Sequence, residues 1–503
     1  MMEALGTLLP LLAAHVRLSA AAMGLALLVG LPSAVAAASR PRLAATLLGA
    51  ASLMQTVPGL ALLALFYPLL LALSALLGGW LPALGFLPAL LALTIYALLP
   101  ILRNGIAGLR GIDPAVARAA RGLGMTRRQR LWLVEMPLAA PVAMAGIRLA
   151  TVWTVGAATL ATTVGYASLG NPIFAGLQTE NWSLVLTGCL GAAALALVAD
   201  GLLALVERGV ADRRPGAIRL GLVGLLVGVV LALVPLAHRS GRTVTVGAKN
   251  FSEQFILARL IGDRLAAAGY RVGYREGLGS AVAFDALRTG EIDVYVDYAG
   301  TLWTGAMGRR DPAPATTMLP TVARWLQQGP KVGLVGPLGF QNAYALAVRP
   351  GSGLRSLTDL APRAPSLTLG ADLEFLDRPE WRAVRDAYQL RFAATRAYSP
   401  TFMYRALLSR QADVISAFSS DGRIAADRLT VLTDPKGALP RYDALLLVSP
   451  AHARDARFLA ALRPLVNALS VERMRAANYL VDRDTDKRTP EAAARWLSAH
   501  LRR

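Results

Sequence analysis

The N-terminal half contains a long neutral segment, residues 43–102, which reads LAATLLGAASLMQTVPGLALLALFYPLLLALSALLGGWLPALGFLPALLALTIYALLPIL and indicates a membrane fold. This segment contains no Asp, Glu, Lys or Arg. A helix needs about 20 apolar residues to cross a bilayer, so a stretch of this length predicts two membrane spans. Pro58, the Gly78-Gly79 pair and Pro82 are the predicted breaks and turns between helices.

Four more apolar segments flank this stretch. Residues 18–39 precede it, and residues 136–160, 183–206 and 220–237 follow it. Each is long enough to cross a membrane, which gives six predicted spans. We therefore predict a polytopic α-helical membrane domain over residues 1–215 with five core spans. An additional transmembrane helix and a short linker are predicted over residues 216–242.

The charges around the spans predict their orientation. Residues 103–130 include seven Arg residues and a single acid, Asp113. Cytoplasmic loops are rich in Lys and Arg, so this loop is predicted to be cytoplasmic. Counting the spans in both directions puts Arg40 and Arg213 on the same side. The residues after 238 are then predicted to be extracytoplasmic.

The sequence changes character after residue 242, where charged residues recur every few positions. The predicted elements of this part are strands at 243–246, 270–274 and 292–296, with helices starting at 252 and covering 281–289. An alternation of strands and helices predicts an α/β domain, over residues 243–503, with an open and largely parallel sheet. Ligands of such sheets bind beyond the carboxyl ends of the strands.

The composition excludes several other functions. The net charge is +20, but the basic residues are spread along the chain and form no nucleic-acid-binding signature. Cys189 is the only cysteine and the four His residues are far apart, so neither a metal site nor a cofactor is predicted. The chain has no Walker sequence and no Ser-His-Asp or Cys-His pattern. We predict that it is not itself an enzyme.

A motif in the cytoplasmic loop indicates a partner protein. Arg118-Ala119-Ala120 is followed by Gly124 and then, after nine residues, by VEMP at 134–137. This resembles the coupling motif of ABC-importer permeases, which reads Glu-Ala-Ala, three residues, Gly, nine residues and Ile-x-Leu-Pro, although Arg118 replaces the Glu. The resemblance implies that the loop docks on a separate ABC ATPase subunit. The residues implied are Arg118, Ala119, Ala120, Gly122, Gly124, Met125 and Pro137.

Longer stretches resemble the quaternary-amine (glycine betaine/carnitine/choline) uptake family of ABC importers. In the first half they are QTVP at 55–58, YALLPILRN at 96–104, GLGMT at 122–126 and AGIR at 145–148. In the second half they are GAKNFSEQ at 247–254, DYAGT at 297–301, GFQNAYA at 339–345 and SSDGRI at 419–424. Some members of this family fuse permease and binding protein in this order, and a subset imports the betaine ergothioneine.

The resemblance implies both a fold and an assembly. The fold is a type I ABC-importer permease followed by a type II, two-lobed α/β domain like periplasmic binding proteins. The first lobe is expected over about residues 243–340 and again after about 448. The assembly is a homodimer of this chain in the lipid of the bacterial inner membrane, with two copies of the ATPase.

An aromatic cage is the expected site for such a ligand. A trimethylammonium group has no N–H donor, so a protein binds it with the negative faces of aromatic rings. The resemblance implies that Tyr298, Tyr344 and Phe418 form the cage, with Tyr398 or Tyr404 as a further wall. Taken singly, each of these rings is more often a core residue.

Lys249 and Ser280 suggest how the rest of the ligand is bound. Lys249, with Asn250 beside it, ends the first predicted strand just before a helix, and Ser280 begins another helix. Positive potential there attracts a carboxylate, which predicts a preference for zwitterionic betaines over choline. The alternative is that Lys249 is a surface residue with a salt-bridge partner.

Several alternatives stay open at this stage. The sequence does not distinguish glycine betaine, carnitine, choline, proline betaine and ergothioneine. A membrane-anchored solute sensor without transport is the other class of function. Arg148 and Asp200 lie within predicted spans, where charged residues often mark a transport path. The alternatives are that each lies near the membrane surface or satisfies a local partner.

Overall fold

The computed structural model describes residues 2–78, 81–178, 181–234, 243–309, 315–398, 400–439, 442–483 and 485–501. The chain divides into two compact units. The first contains the apolar helices and the second contains strands that alternate with helices. The predicted fold class, a helical membrane domain followed by an α/β domain, is confirmed.

The first unit is helical throughout its regular elements. Its α-helices are α1 (Met2–Ala38), α2 (Pro41–Thr56), α3 (Gly59–Leu76), α4 (Phe86–Arg110), α5 (Pro114–Gly122), α6 (Arg127–Arg130), α7 (Met136–Ala157), α8 (Gly170–Gln178), α9 (Trp182–Ala211) and α10 (Pro215–Leu233). A π-helical turn (Leu131–Glu135) joins α6 to α7, and a 3₁₀ segment (Ala158–Val164) extends α7.

Five helical segments among the described residues are long and apolar enough to cross a membrane. They are Leu8–Ala38, Phe86–Arg110, Arg127–Val164, Trp182–Ala211 and Pro215–Leu233. The helices α2 and α3 together are also long and apolar enough to cross a membrane, but they are bent by 100° relative to each other. The break predicted at Pro58 is confirmed. Val57 is extended and Pro58 has no N–H to donate, so the helix breaks between them. Counting the bent pair as one span gives six.

Small residues let the membrane helices pack closely. A Cβ on Gly105 of α4 would lie 2.9 Å from the Cβ of Ala34 on α1. A Cβ on Gly108 of α4 would lie 2.9 Å from the carbonyl oxygen of Ala139 on α7. Such close approach is typical of helices in a bilayer, where packing replaces the hydrophobic effect as the main attraction.

One ion-pair network joins α7 to α9. The Nε and Nη2 atoms of Arg148 donate to the two carboxylate oxygens of Asp200 at 2.9 and 2.7 Å. Its Nη1 atom donates to Glu207 at 2.6 Å. The interpretation of Arg148 and Asp200 as residues that satisfy a local partner is confirmed, and Glu207 is a third member that the sequence analysis missed.

The second unit contains ten strands and twelve α-helices among the residues described. The strands are β1 (Thr243–Lys249), β2 (Arg271–Leu278), β3 (Val294–Tyr298), β4 (Gly333–Gln341), β5 (Tyr344–Val348), β6 (Thr368–Ala371), β7 (Ala394–Ala397), β8 (Val414–Phe418), β9 (Thr430–Val431) and β10 (Asp443–Val448). The helices are α11 (Ser252–Ala267), α12 (Ser280–Thr289), α13 (Ala299–Thr301), α14 (Ala315–Gln328), α15 (Leu357–Leu360), α16 (Leu373–Asp377), α17 (Pro379–Tyr388), α18 (Pro400–Leu408), α19 (Gly422–Ala426), α20 (Ala456–Leu462), α21 (Val471–Asp482) and α22 (Pro490–Ala499).

The strands form two separate five-stranded sheets, one in each lobe. Their orders are β2-β1-β3-β10-β4 and β7-β6-β8-β5-β9. The chain leaves the first sheet through residues 342–343, which we call the crossover, and it returns at β10. The predicted two lobes are confirmed. The predicted return after residue 448 is wrong, because β10 (Asp443–Val448) already pairs within the first sheet.

Each sheet is mixed rather than largely parallel. In the first sheet β1 is parallel to β2 and β3, whereas β10 is antiparallel to β3 and β4. In the second sheet β6 is parallel to β7 and β8, and β5 is antiparallel to β8 and β9. The strands that break the parallel pattern, β5 and β10, are those that follow a passage between lobes, so each enters its sheet from the opposite end.

Candidate substrate-binding site

Four aromatic rings from both lobes form one cluster, which we call the ring cluster. Tyr298 ends β3, Tyr344 begins β5, Phe418 ends β8 and Phe251 lies between β1 and α11. The ring centroids of Tyr344 and Phe418 are 4.8 Å apart, those of Phe418 and Phe251 6.4 Å, and those of Phe251 and Tyr298 6.3 Å. The structure therefore places Tyr298, Tyr344 and Phe418 in one chain of rings, in which Phe251 contacts both Tyr298 and Phe418.

The strand register explains why two of these rings meet. Tyr344 and Phe418 are directly opposite each other in the antiparallel pair β5–β8, so their side chains share one face of the sheet. Phe375 and Tyr442 also contact Tyr344, with ring centroids at 5.0 and 5.7 Å. The sequence analysis missed Phe251, Phe375 and Tyr442 as neighbours of the cage. Phe251 could have been found from the sequence, because it lies within residues 247–254, one of the stretches that resemble the uptake family.

Tyr398 and Tyr404 lie in a different hydrophobic cluster. Tyr404 packs in a group that includes Ala417, and Tyr398 packs against the same group. Successive strand residues point to opposite faces of a sheet, so Ala417 and its neighbour Phe418 face different sides. The guanidinium of Arg423 lies 4.2 Å over the Tyr404 ring. The structure thus does not bring either tyrosine to the ring cluster.

Lys249 is buried and ion-paired. Its side chain is 3% exposed and that of Asp297 is 1% exposed. Its Nζ donates to Asp297 Oδ1 at 2.5 Å, and the hydroxyl of Tyr295 donates to Oδ2 at 2.5 Å. The ammonium lies 5.3 Å from the ring centroid of Tyr298. The alternative of a salt-bridged lysine is therefore the arrangement found, but the pair is in the interior and Asp297 compensates the charge of Lys249. Asn250, next in the chain, is exposed.

An open cavity of about 1100 Å³ lies next to the Lys249–Asp297 pair. Asp297 lines it, and so does Ser280, which is the first residue of α12. The other polar or charged residues of its lining are Asp285, Arg288, Thr301, Thr304, Asp377 and Arg378. The lining comes from the first lobe except for Asp377 and Arg378, which belong to the second. The cavity is therefore bounded by both lobes.

Arg378 connects this cavity with the ring cluster. Its Nη1 donates to the hydroxyl of Thr304 in the first lobe at 3.2 Å. Its guanidinium carbon is 5.5 Å from the ring centroid of Tyr344, and its side chain is 13% exposed. The sequence analysis missed Arg378, because nothing in its local sequence separates it from the other arginines of the second half.

The coupling residues predicted in the first unit form an exposed segment. Asp113 caps α5 by accepting from the Ala115 N–H at 2.7 Å. Gly124 has φ +75°, a left-handed conformation that side-chain-bearing residues rarely adopt. Thr126 then starts α6 with a capping box to Gln129. Of the predicted coupling residues, Arg118, Ala119, Gly122, Gly124 and Pro137 are exposed, Met125 is half-buried and Ala120 is buried.

Comparison with known proteins identifies the family of both units. The family described as "Substrate binding domain of ABC-type glycine betaine transport system" matches residues 242–499, more than half of the chain. The chain belongs to this family. Residues 26–212 match "Binding-protein-dependent transport system inner membrane component". The chain therefore joins an inner-membrane permease to a substrate-binding domain, in the order that the sequence predicts.

Two individual relatives, one covering most of the chain and one covering the membrane part, agree with these assignments. The chain is 27% identical over 472 residues to the ergothioneine transport permease/ergothioneine binding protein EgtU of Helicobacter pylori, covering 90% of this chain and 82% of the relative. It is 40% identical over 194 residues to the choline transport system permease protein OpuBB of Bacillus subtilis, covering 39% of this chain and 84% of that relative. A crystal structure described as a glycine betaine/carnitine/choline ABC transporter is 26% identical, with a TM-score of 0.46, and covers 51% of this chain and 98% of that one.

Membership of these families determines the broad function. The protein is a transporter subunit of the inner membrane with several membrane spans, and it is not an enzyme. Its family implies a partner ATPase and a betaine-type ligand. Neither match supports the alternative of a solute sensor that does not transport.

Proposed function

We propose that this chain imports a quaternary-ammonium or betaine solute, which the binding domain holds against the ring cluster of Phe251, Tyr298, Tyr344 and Phe418. The observation that carries the ligand class is that rings from both lobes converge there. A trimethylammonium group is attracted by aromatic faces within about 6 Å of the ring centroid. The names of the relatives, which cover choline and ergothioneine, support the same class.

Arg378 is the proposed partner of the ligand carboxylate. Its guanidinium carbon lies 5.5 Å from the centroid of the Tyr344 ring, and it lines the cavity beside the Lys249–Asp297 pair. Lys249 is less suited to this role, because Asp297 lies 2.5 Å from its ammonium, whereas the carboxylate that pairs with Arg378, Glu380, is 3.9 Å from its guanidinium. Ser280, which lines the same cavity, is a proposed hydrogen-bond donor. A guanidinium beside the cage attracts a carboxylate and repels a plain cation, so zwitterionic betaines are the proposed ligands.

The Arg378→Gln variant tests this assignment. We expect it to weaken binding of glycine betaine or ergothioneine by about 10- to 150-fold, because a charge-assisted hydrogen bond contributes about 1.5–3 kcal/mol. Choline has no carboxylate, so its affinity should stay the same or increase. Calorimetric titration of the full chain in nanodiscs with the three solutes measures this.

Arg288→Gln is the matched control for Arg378→Gln. Arg288 also lines the cavity, but it is exposed and pairs with Asp285 at 3.3 Å. We expect this variant to bind all three solutes like the native chain. An Arg378→Gln protein with an unchanged ratio of glycine betaine to choline affinity would remove Arg378 from the site. A native chain that binds none of the three would contradict the ligand class itself.

The membrane unit is proposed to act as a homodimer with two copies of the ATPase. Up to six spans per chain is about half of what a two-fold symmetric importer needs, and the arginine-rich loop supports a cytoplasmic position for α5 and α6. The binding domain, residues 243–503, is then extracytoplasmic. Residues 1–215 are the proposed permease, and residues 216–242 are the proposed additional helix and linker.

The α5–α6 segment is the proposed ATPase docking site. Arg118 and Arg121 are exposed on it, as is Leu123, which is 78% exposed. Arg118 stands where the coupling motif has a Glu, so the ATPase surface that receives it is proposed to carry an acid. An exposed apolar side chain surrounded by cations is a suitable anchor for an acidic groove.

The Gly122→Trp variant tests the docking site. Gly122 is exposed, and a Cβ there meets no atom within 4 Å, so the bulk projects outward without straining this chain. Gly124 is less useful for this purpose, because its φ of +75° would strain any side chain. We expect solute-stimulated ATPase activity of the complex in nanodiscs to fall by about tenfold or more, the effect of losing an interface hot spot.

Gly216→Trp provides the control for the docking test. Like Gly122, Gly216 is exposed and has no atom within 4 Å of an added Cβ. It lies at the start of α10, outside the coupling segment. We expect it to retain stimulation. Full solute-stimulated activity in the Gly122→Trp complex would show that the segment is not the dock.

A further inference from the structure

A buried carboxylate lies between the ring cluster and the crossover of the binding domain. It belongs to Glu253 in the first turn of α11, which is 2% exposed. Its Oε1 accepts from the Tyr298 hydroxyl at 2.5 Å and from Asn342 Nδ2 at 3.1 Å. Its Oε2 accepts from Asn478 Nδ2 at 3.2 Å. Three separate parts of the chain therefore donate to one carboxylate.

These donors link the two lobes. Tyr298 ends β3 in the first lobe, and Asn342 lies in the crossover. Asn478 lies on α21, and its Nδ2 also donates to the carbonyl oxygen of Ser420, which follows β8 in the second lobe, at 2.7 Å. The same helix packs closely on the second lobe, since a Cβ on Gly422 would lie 2.7 Å from the Cα of Tyr479.

The carboxylate fixes the orientation of its neighbours. Burial raises the pKa of Glu253 above its ordinary value, because desolvation disfavours the charged form. A buried carboxylate needs hydrogen-bond donors, and Glu253 receives them from Tyr298 and two amides. Among the described residues, the amide oxygens of Asn342 and Asn478 have no hydrogen-bond partner. Within the described structure, the Asn342 amide is thus held through its bond to Glu253, and the Asn478 amide through Glu253 and Ser420.

The Tyr298 ring is held at its hydroxyl. That hydroxyl donates to Glu253 and accepts from Gln254 Nε2 at 2.9 Å. Because the hydroxyl oxygen lies on the axis of the ring, these two bonds fix the position of the far end of the ring, and the ring cannot swing about its Cα–Cβ bond without breaking them. Phe251 and Phe418, the other two rings in line with it, have no polar group by which the protein can hold them.

We propose that Glu253 is a positioning residue for the ligand site, which holds the Tyr298 ring in place and links it to the crossover and to the second lobe. Loss of the carboxylate releases the ring and the crossover together. This inference rests on the proposed function, because it treats Tyr298 as a ring that contacts the ligand.

The test combines affinity with hydrogen exchange on the full chain in nanodiscs. Glu253→Gln keeps one acceptor oxygen but turns an N–H toward one of its donors, and Tyr298→Phe removes the hydroxyl but keeps the ring. We expect each variant to weaken glycine betaine and ergothioneine binding by about tenfold or more. The double variant should bind these solutes no more weakly than the single variant with the lower affinity, because both changes break the same link. Amide exchange at residues 341–343 should be faster in ligand-free Glu253→Gln than in the native chain.

Leu265→Ala separates positioning from general stability. Leu265 is fully buried at the far end of the same helix, so its truncation lowers the melting temperature without touching the site. We expect its affinity for both solutes to stay within about twofold of the native value. The proposal would be overturned if Glu253→Gln bound the solutes with native affinity. It would also be overturned if the losses of affinity in the two single variants multiplied in the double variant. If the native chain binds neither solute, the proposed function fails. The exchange at residues 341–343 still decides whether Glu253 holds the crossover, and unchanged exchange there would overturn that link.

Discussion

The Lys249→Met variant is expected to lose about 3–5 kcal/mol of the unfolding free energy of the binding domain. The change removes the ammonium and leaves Asp297, only 1% exposed, as an uncompensated carboxylate. The Tyr295 hydroxyl and the Tyr298 N–H, at 2.5 and 2.8 Å, satisfy part of its hydrogen bonding but not its charge. Urea unfolding of a fragment of residues 243–503 measures the effect. The hydrophobic clusters of the fragment contain only its own residues, which supports its folding in isolation.

Two further variants make the Lys249 result interpretable. Lys249→Met combined with Asp297→Asn should recover much of the lost unfolding free energy, because neither of these two buried positions then carries a charge. Lys331→Met, at an exposed lysine, should change the unfolding free energy by less than about 0.5 kcal/mol. A Lys249→Met fragment with native stability, and a changed preference between glycine betaine and choline, would instead make Lys249 the residue that selects the ligand.

The sequence predicted the membrane helices well because hydropathy is a local property. Uninterrupted apolar residues must be buried or in lipid, whatever their neighbours are. The break at Pro58 was predicted, but the 100° angle of the bend was not, since proline is tolerated inside other helices of this unit, such as Pro100 in α4. Whether a proline breaks or only kinks a helix depends on the neighbouring helices, which the local sequence does not specify.

The candidate site was only partly predictable for a related reason. Three of the predicted rings lie at the ends of strands, namely Tyr298, Tyr344 and Phe418. A sequence motif that predicts such a strand therefore also predicts where its terminal ring lies. Tyr404 lies on a helix, and the face of the sheet that a helix covers is set by packing, so its separation from the cluster was not foreseen.

The polar network around Glu253 depends on contacts that are remote in the sequence. Asn478 is 225 residues away from Glu253. No periodicity or spacing in either segment indicates this partner, because α21 reaches α11 only after the chain has built the second lobe and returned. The same holds for Arg378, whose contact with Thr304 of the first lobe joins residues that are 74 positions apart in the sequence.

The Arg148→Leu variant is expected to prevent stable folding of the membrane unit. It removes the one guanidinium that binds both Asp200 and Glu207, at 2.7 and 2.6 Å, and leaves two carboxylates on α9. Asp200 lies inside the predicted span of residues 183–206, whereas Glu207 lies just beyond it. An unpaired acid inside a membrane span costs up to about 2.5–3.5 kcal/mol, the figure for the centre of the helix. We expect a large loss of monodisperse protein after extraction into detergent, measured by size-exclusion chromatography at equal expression.

The neighbouring charges of α9 provide the controls for this prediction. Arg208→Leu removes an exposed arginine, for which the described residues give no ion pair, and should leave the yield unchanged. Arg148→Leu combined with Asp200→Leu and Glu207→Leu should restore the yield of monodisperse protein, because apolar side chains replace the whole network and no carboxylate is left without a cation. If the triple variant folds but no longer transports, the network has a role in the transport path beyond holding α7 to α9. If Arg148→Leu alone folds like the native chain, the carboxylates are not confined to an apolar environment and the network is not what joins the two helices.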